Sequence, residues 1–319
     1  MNIKTIDSQT KSVQDEKGNS YEYDKLLIAT GGEANKLPYG DNNILYYRKL
    51  NDYKSLRNKA NVKNNFVIIG GGFIGTEIAA GLAMNGKNVT MIFPDKYIGE
   101  KVYPSNLASF ITVYYKEKGV NILHGDYVLM FEKKNEVIHI TTSSGKDVYA
   151  DYAVAGIGIK PNVSLAQSIG AHVDNGIHVN AFLKSNIEEI YSAGDVANFY
   201  NPILNKRIRI EHADNANKMG KAAGLSMAGK GEPYNYLPFF YSDLFELGYE
   251  AIGELNSSYQ IYSDWKNPYR KGVIYYINEG KVRGVLLWDV WGKINDAREL
   301  IAAKEKIVNP EDLKDRIGF

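Results

Sequence analysis

Phe66-Val67-Ile68-Ile69-Gly70-Gly71-Gly72-Phe73-Ile74-Gly75 sets an apolar run directly against glycines at positions 70, 72 and 75. A short apolar run of this kind reads as a central parallel strand, buried on both faces. A helical segment follows through Glu77, Ile78, Ala79, Leu82 and Ala83, stopped by Asn85-Gly86, and Val89-Thr90-Met91-Ile92-Phe93 makes the next strand. Strand, GxGxxG, helix and strand in this order form the dinucleotide-binding fingerprint, which a lone glycine motif would not establish. Gly70 is expected to allow the tight turn, Gly72 the approach of a pyrophosphate to the backbone, and Gly75 the close packing of helix on strand. Phe73 and Ile74 sit at the helix start, where free N–H groups and the helix dipole attract phosphate. The competing reading is a glycine-rich turn that binds nothing.

The acid that should contact the adenosine ribose is displaced. Phe93 occupies its usual place at the strand end, and Asp95 comes two residues later, followed by Lys96. A carboxylate there repels a 2′-phosphate, so NADH is expected over NADPH. Asp95 and Lys96 could equally be a solvated pair in the loop.

Outward from this unit, Leu107, Phe110, Ile111, Tyr114 and Tyr115 recur at helical spacing, with Lys116-Glu117-Lys118-Gly119 as a basic, glycine-terminated end. Val120 to Leu123 reads as a strand, and 136–140 with 147–149 as a hairpin. Tyr152-Ala153-Val154-Ala155 closes the unit at Gly156-Ile157-Gly158. Upstream, Ile3 to Asp24 alternates as a β-meander with a turn at Lys17-Gly18-Asn19. A strand then ends in Ala29-Thr30-Gly31-Gly32, and Asn51 to Asn61 reads as a helix. Downstream, Ile190-Tyr191-Ser192-Ala193 ends at Gly194-Asp195, and Glu211-His212 precedes a helix with Ala213, Ala216, Gly220 and Ala223 on one face. From Gly248 the pattern turns to antiparallel β, with a hairpin of 272–277 and 281–288 and a final helix at 295–306.

With 44% hydrophobic and 24% charged residues among 319, the composition is that of a globular protein of two or three domains. A formal net charge of +1 provides no field for nucleic acid. No apolar run reaches the ~18 residues of a membrane span. Nothing at the N-terminus resembles a signal peptide, so the default compartment is cytoplasmic. Without cysteine there is no thiolate metal site, disulfide or redox-active cysteine pair, and no metal is expected.

Taken singly, Ala29-Thr30-Gly31-Gly32, Ala193-Gly194-Asp195 and Glu211-His212 are weak: a Gly-Asp after a strand is usually a turn, and His212 reads as a helix cap. Their order around the NAD unit resembles the flavoproteins with two dinucleotide-binding domains, in the ferredoxin reductase and apoptosis-inducing factor branch. The resemblance covers essentially the whole chain. It is closest in Ile92-Phe93-Pro94-Asp95-Lys96, in Glu211-His212 with Asp214, and in Tyr241-Ser242-Asp243-Leu244 leading to Gly248–Gly253.

The resemblance implies an α/β architecture: a Rossmann-like NAD-binding domain (61–160) inserted in a partial FAD-binding domain (1–60 and 161–246), plus a C-terminal α+β domain (247–319). It implies FAD and NAD(H) as cofactors, with electrons passing from NADH through flavin to an acceptor such as a ferredoxin, a quinone or oxygen. Thr30, Gly31, Gly194 and Asp195 would then bind FAD, with Glu211 and His212 near its ring. Glu77 would lie near the nicotinamide, Gly156 and Gly158 would line the NADH cleft, and Tyr241 would keep an aromatic face where a tryptophan is usual. Glu77 and His212 become the candidate catalytic residues.

Two departures qualify this. Ala34-Asn35 replaces a Pro-Arg pair, removing a cation, and no second GxGxxG grips the FAD pyrophosphate. The first βαβ unit of the family, with the lysine expected opposite Glu77, is therefore expected to be missing. Its loss should expose apolar edges at Leu26-Leu27-Ile28 and Ile190-Tyr191. A fragment, a split enzyme whose partner supplies the FAD half, and a regulatory NAD-binding protein remain the alternatives. Tyr275, Tyr276, Trp288 and Trp291 would be the contact of a homodimer, although such aromatic strands are more often core.

Overall fold

The computed structural model describes residues 2–319, and these form two compact units. The larger contains Ala34–Ile159, Tyr241–Leu300 and Glu305–Phe319; the other contains residues up to Glu33, Lys160–Phe240 and Ile301–Lys304.

The larger unit is built on β1 (Ile44–Tyr46), α1 (Leu50–Val62), β2 (Asn65–Ile69), α2 (Phe73–Met84), β3 (Asn88–Phe93), α3 (Ser105–Glu117), β4 (Asn121–His124) and β5 (Tyr152–Ala155). The five strands make one parallel sheet in the order β1-β5-β2-β3-β4. Val67, Ile68, Met91, Ile92, Ala153 and Val154 are wholly buried, as expected of strands covered on both faces. Ala79, Ala80 and Leu82 of α2 are buried where the helix packs on β2 and β3, and Leu107, Ile111 and Tyr115 of α3 are buried where that helix packs on β4. An antiparallel sheet of Val128–Lys134, Val137–Thr142 and Asp147–Ala150 contributes Val128, Ile138 and Ile140 to a core shared with Val67, Ile92 and Ala153.

One detail differs from the sequence reading: the hairpin gains Val128–Lys134 as a third strand. Ile44–Tyr46 hydrogen-bonds along Ala153–Ala155 and extends the same parallel sheet.

The strand order reverses at β2: β3 and β4 lie on one side and β5 on the other. Such a switch point opens a crevice beyond the carboxyl ends of the strands. The glycines of the fingerprint sit there.

The C-terminal sheet has β6 (Phe239–Leu244), β7 (Leu247–Gly253), β8 (Gln260–Asn267), β9 (Lys271–Asn278) and β10 (Lys281–Trp288), in the order β6-β7-β10-β9-β8, followed by α4 (Ile294–Ala303). Of the four aromatic residues named for a dimer contact, Tyr275, Tyr276 and Trp288 are completely buried as core and Trp291 is exposed. Tyr103, just before α3, reaches this core and meets Tyr249 and Trp288 edge-on, with ring centroids 5.8 and 6.1 Å away.

In the other unit the expected meander forms from Ile3–Asp7, Ser12–Asp15 and Ser20–Glu22. Asp15 Oδ1 accepts the backbone N–H groups of Lys17 and Asn19 and so shapes the turn at Gly18. Leu26–Ile28 pairs in parallel with Ile190–Ser192. The expected exposure of Ile190-Tyr191 is not found. Leu183 and Ser185 exchange backbone hydrogen bonds with Ser192 and Ile190 at 3.0 and 2.8 Å and cover that edge, while Ile28, Ile190 and Tyr191 are buried. A helix at Ala213–Met227 buries Met219 and Ala223 against Phe199 and Val179.

The Gly70–Gly75 loop is the tightest point of the larger unit. A Cβ on Gly75 would lie 2.2 Å from the Gly70 carbonyl oxygen. Backbone cannot yield as a side chain can, so Gly75→Ala is expected to destabilise the protein by ~1–3 kcal/mol. Denaturant unfolding checks this; a change within error would mean that the loop relaxes freely.

Candidate functional site

Each fingerprint glycine has its own physical reason. Gly70 has φ +118° and an ideal Cβ there would meet the Gly156 carbonyl oxygen at 2.4 Å. Loop and cleft wall are therefore in backbone contact. Around the Cβ position of Gly72 nothing lies within 4 Å, which leaves an open approach to the backbone at the start of α2. No side chain caps that helix and no acid occupies its first turn, so its positive end faces outward uncompensated. Phe73 and Ile74 expose apolar side chains at the same place. An open cradle and a helix N-terminus without a side-chain cap together fit a dinucleotide pyrophosphate.

Gly71 was not singled out by sequence. An ideal Cβ there would lie 2.7 Å from the Phe93 ring, and Phe93 is buried. The phenyl ring that replaces the usual strand-end acid thus fills the floor beneath the loop, and only glycine fits above it.

Asp95 pairs with Lys101 at 3.4 Å rather than with Lys96. Lys96 has its backbone N–H bonded to Glu100 Oε2, at 2.7 Å, and its ammonium over the Tyr97 ring. On the other side of β2, Gly156 closes on Gly75 and Ile74, and Asn35 ties down the following loop. Its backbone N–H donates to the Gly158 carbonyl at 2.9 Å and its side chain to the Ile157 carbonyl at 3.1 Å.

Glu77 lies one turn into α2, on a groove of about 730 Å³ also lined by Tyr47, Arg57, Ile74 and Lys87. Ser242 Oγ donates to Glu77 Oε1 at 2.5 Å. Loss of water pushes the Glu77 pKa up, the Ser242 hydrogen bond pulls it down, and the Asp243 carboxylate pushes it up again. Strand alternation on β6 buries Ser242 and leaves Tyr241 exposed.

In the other unit, Thr30 Oγ1 donates to the Asn162 carbonyl at 2.7 Å, and the Asn162 amide donates to the Thr30 carbonyl and, from its backbone, to that of Gly31. Gly31 and Gly194 have positive φ, at 62° and 76°. The Gly194–Val196 turn lies against the Ala213–Met227 helix, with the Gly194 N–H directed at Met219 Sδ. Arg209 donates to the Asp195 carbonyl and forms an ion pair with Glu211 at 2.7 Å. His212 is the N-cap position of the helix but provides no side-chain cap; its ring stacks on Phe240 at 4.3 Å. Burial pushes its pKa down to about 4 against the opposing pull of Asp195 and Asp214. The imidazole is neutral at pH 7, and Asp195, His212 and Asp214 form one cluster at a helix N-terminus.

These features match known proteins. Residues 1–220 fit the family described as pyridine nucleotide-disulphide oxidoreductase, and residues 260–303 the C-terminal domain described as apoptosis-inducing factor, mitochondrion-associated. The chain belongs to the pyridine nucleotide-disulphide oxidoreductase family. It is 34% identical to mitochondrial apoptosis-inducing factor 1 of Dictyostelium discoideum, over 95% of this chain and 61% of that one. To monodehydroascorbate reductase 3 of Arabidopsis thaliana it is also 34% identical, over 89% of this chain and 69% of the relative. Its fold superposes on putidaredoxin reductase, solved as a covalent complex with putidaredoxin, with TM-score 0.91 and 29% identity over 98% of this chain and 77% of that one. The chain thus spans under two thirds of the first of these relatives and somewhat more of the others. Members of the family use FAD and NAD(H). Despite the family's name, this chain has no cysteine for a redox disulfide. Among the described residues no helix is long and apolar enough to cross a membrane.

The depressed His212 pKa has a sign. Between its unfolded value near 6.5 and its folded value near 4, the unfolded chain binds a proton that the folded chain refuses. Stability from the neutral ring is complete above about pH 6.5 and is lost as the pH falls toward 4. Unfolding measured across this range should show that loss, and His212→Gln should remove it; identical pH profiles would reject the assignment.

Proposed function

We propose that the chain is the NADH-binding and acceptor-side part of an FAD-dependent oxidoreductase, taking electrons from NADH through flavin to a small redox protein. The observation that carries this reading is the α2 cradle, with its vacant Gly72 Cβ position, uncapped helix end and exposed Phe73 and Ile74. The pyrophosphate lies over Gly72, the adenosine ribose toward Asp95, and the nicotinamide on the β5 side, near Glu77 and the Gly156–Gly158 wall.

FAD, when bound, supplies the hydride acceptor. Asp195 holds its ribityl or phosphate part near Thr30 and Gly31, and the N-terminus of the Ala213–Met227 helix stabilises negative charge on its ring. His212, neutral and stacked on Phe240, presents a polar edge without adding a competing cation. Asn35 provides no cation where the resemblance leads one to expect it; its side chain is committed to Ile157. The domain division read from sequence stays part of this proposal. Putidaredoxin, the partner in the structural neighbour's complex, is the model for the acceptor class.

The test is the absorbance of the purified chain between about 300 and 550 nm, with FAD and then NADH added. Flavin bands that bleach with NADH support the proposal. NADH binding without flavin retention supports instead the second reading, an NAD-binding regulatory protein, to which the intact cradle is equally suited. If Asp95 binds the ribose, Asp95→Asn should cut the preference for NADH over NADPH by roughly tenfold, the worth of one charge-assisted hydrogen bond. Titration of both nucleotides measures it, and an unchanged ratio removes Asp95 from the site.

A further inference from the structure

Ser242 lies 165 residues from Glu77 in sequence, is 2% exposed, and directs its one hydroxyl proton onto the carboxylate. Tyr249 is fully buried. Tyr103 Oη in turn donates to Tyr249 Oη at 3.0 Å and is itself 2% exposed. Behind the carboxylate, Tyr249 and Tyr103 share a second buried hydroxyl contact, and the Ser242 hydroxyl donates to Glu77. A buried hydroxyl donating to a groove-facing carboxylate is more than a core packing device, because a methyl group would fill the same space without it.

We propose that Ser242, backed by Tyr249 and Tyr103, is a positioning residue that holds Glu77 as a fixed anion, and that this anion makes the site favour the oxidised nicotinamide ring. The inference rests on the nicotinamide placement argued under Proposed function. Dihydronicotinamide is neutral and the ring of NAD+ is cationic. A carboxylate fixed beside it stabilises the oxidised ring and the positive charge that develops as hydride leaves. The anion needs this support: burial and Asp243, the residue next to Ser242, both oppose its charge. Tyr47 just after β1, Tyr103 before α3 and Tyr115 from α3 feel the same carboxylate. Burial raises all three phenols, so they stay neutral where Glu77 titrates. Arg57 and Lys87 line the same groove from other elements.

The experiment measures Kd for NADH and for NAD+ between pH 5 and 9 on the full chain, unaltered and as Ser242→Ala, Ser242→Thr and Glu77→Gln. In parallel, infrared difference spectra against Glu77→Gln follow the Glu77 carboxyl through its titration, without nucleotide. The unaltered chain should favour NAD+ by about tenfold more at high pH than at low pH, one unit of Coulomb stabilisation in a partly solvated site. Glu77→Gln should abolish the pH dependence. Ser242→Ala should move both the affinity midpoint and the infrared midpoint to higher pH, and Ser242→Thr should restore them. An unmoved infrared midpoint in Ser242→Ala overturns the positioning role, whatever the nucleotides do. A moved midpoint with equal pH profiles in Glu77→Gln and the unaltered chain overturns the discrimination. If neither nucleotide binds at all, the site reading under Proposed function is wrong and the discrimination falls with it, while the infrared result still decides the link between Ser242 and Glu77.

Discussion

Backbone meets backbone at Gly70, Gly75 and Gly156 with no room for a methyl group, and the shape of the loop and of the groove beside it depends on that contact. It brings the start of α2 down onto the end of β2 and sets the β5 loop against both. A helix N-terminus is useful to an anion only when the chain leading into it stays out of the way. Here the glycines clear the chain, and Phe93 supports it from below. The ring costs the strand-end acid its usual place and moves the carboxylate to Asp95, on a loop where Lys101 shares it.

Around this fixed cradle the two ends of the cleft are prepared by different means. At one end Asp95 and Lys101 pair in a short loop, where salt screens them readily. At Glu77 the buried Ser242 hydroxyl holds the carboxylate, out of reach of salt. The C-terminal sheet contributes to both stability and electrostatics. Its aromatic residues fill the interior, and the same alternation along β6 that buries Ser242 leaves Tyr241 outward. The second unit has its own arrangement, in which Arg209 ties the Gly194-Asp195 turn to Glu211 just ahead of the Ala213–Met227 helix. The neutral His212 therefore sits among carboxylates, held uncharged by its removal from water.

Local patterns were legible wherever their cause was local. The β2–α2–β3 unit, the meander with its turn at Gly18, and the hairpin 272–288 all follow from periodicity and turn residues within about twenty positions. Less was readable where side chains meet across the fold. The fingerprint spacing gives Gly71 no role, and the Phe93 ring beneath it does. Ser242 stood in a motif already quoted, yet nothing in its neighbours announces a carboxylate 165 residues away. The edge at Ile190-Tyr191 was expected to be open for want of the unit that should flank it, and the segment that covers it, Leu183–Ser185, is too short and irregular to read as a strand.

What the sequence determined by itself is the chemistry of the cradle. Glycine is the only residue that tolerates both the φ of +118° at position 70 and the 2.2 Å approach at position 75, and spacing alone announces the need. The tertiary structure alone decided which groups face one another: Lys101 with Asp95, Phe93 with Gly71, Ser242 with Glu77. Those pairings come from sheet order and from the face each strand residue presents. Both are global properties of packing, because a shift of one position along β6 would exchange Ser242 for Tyr241.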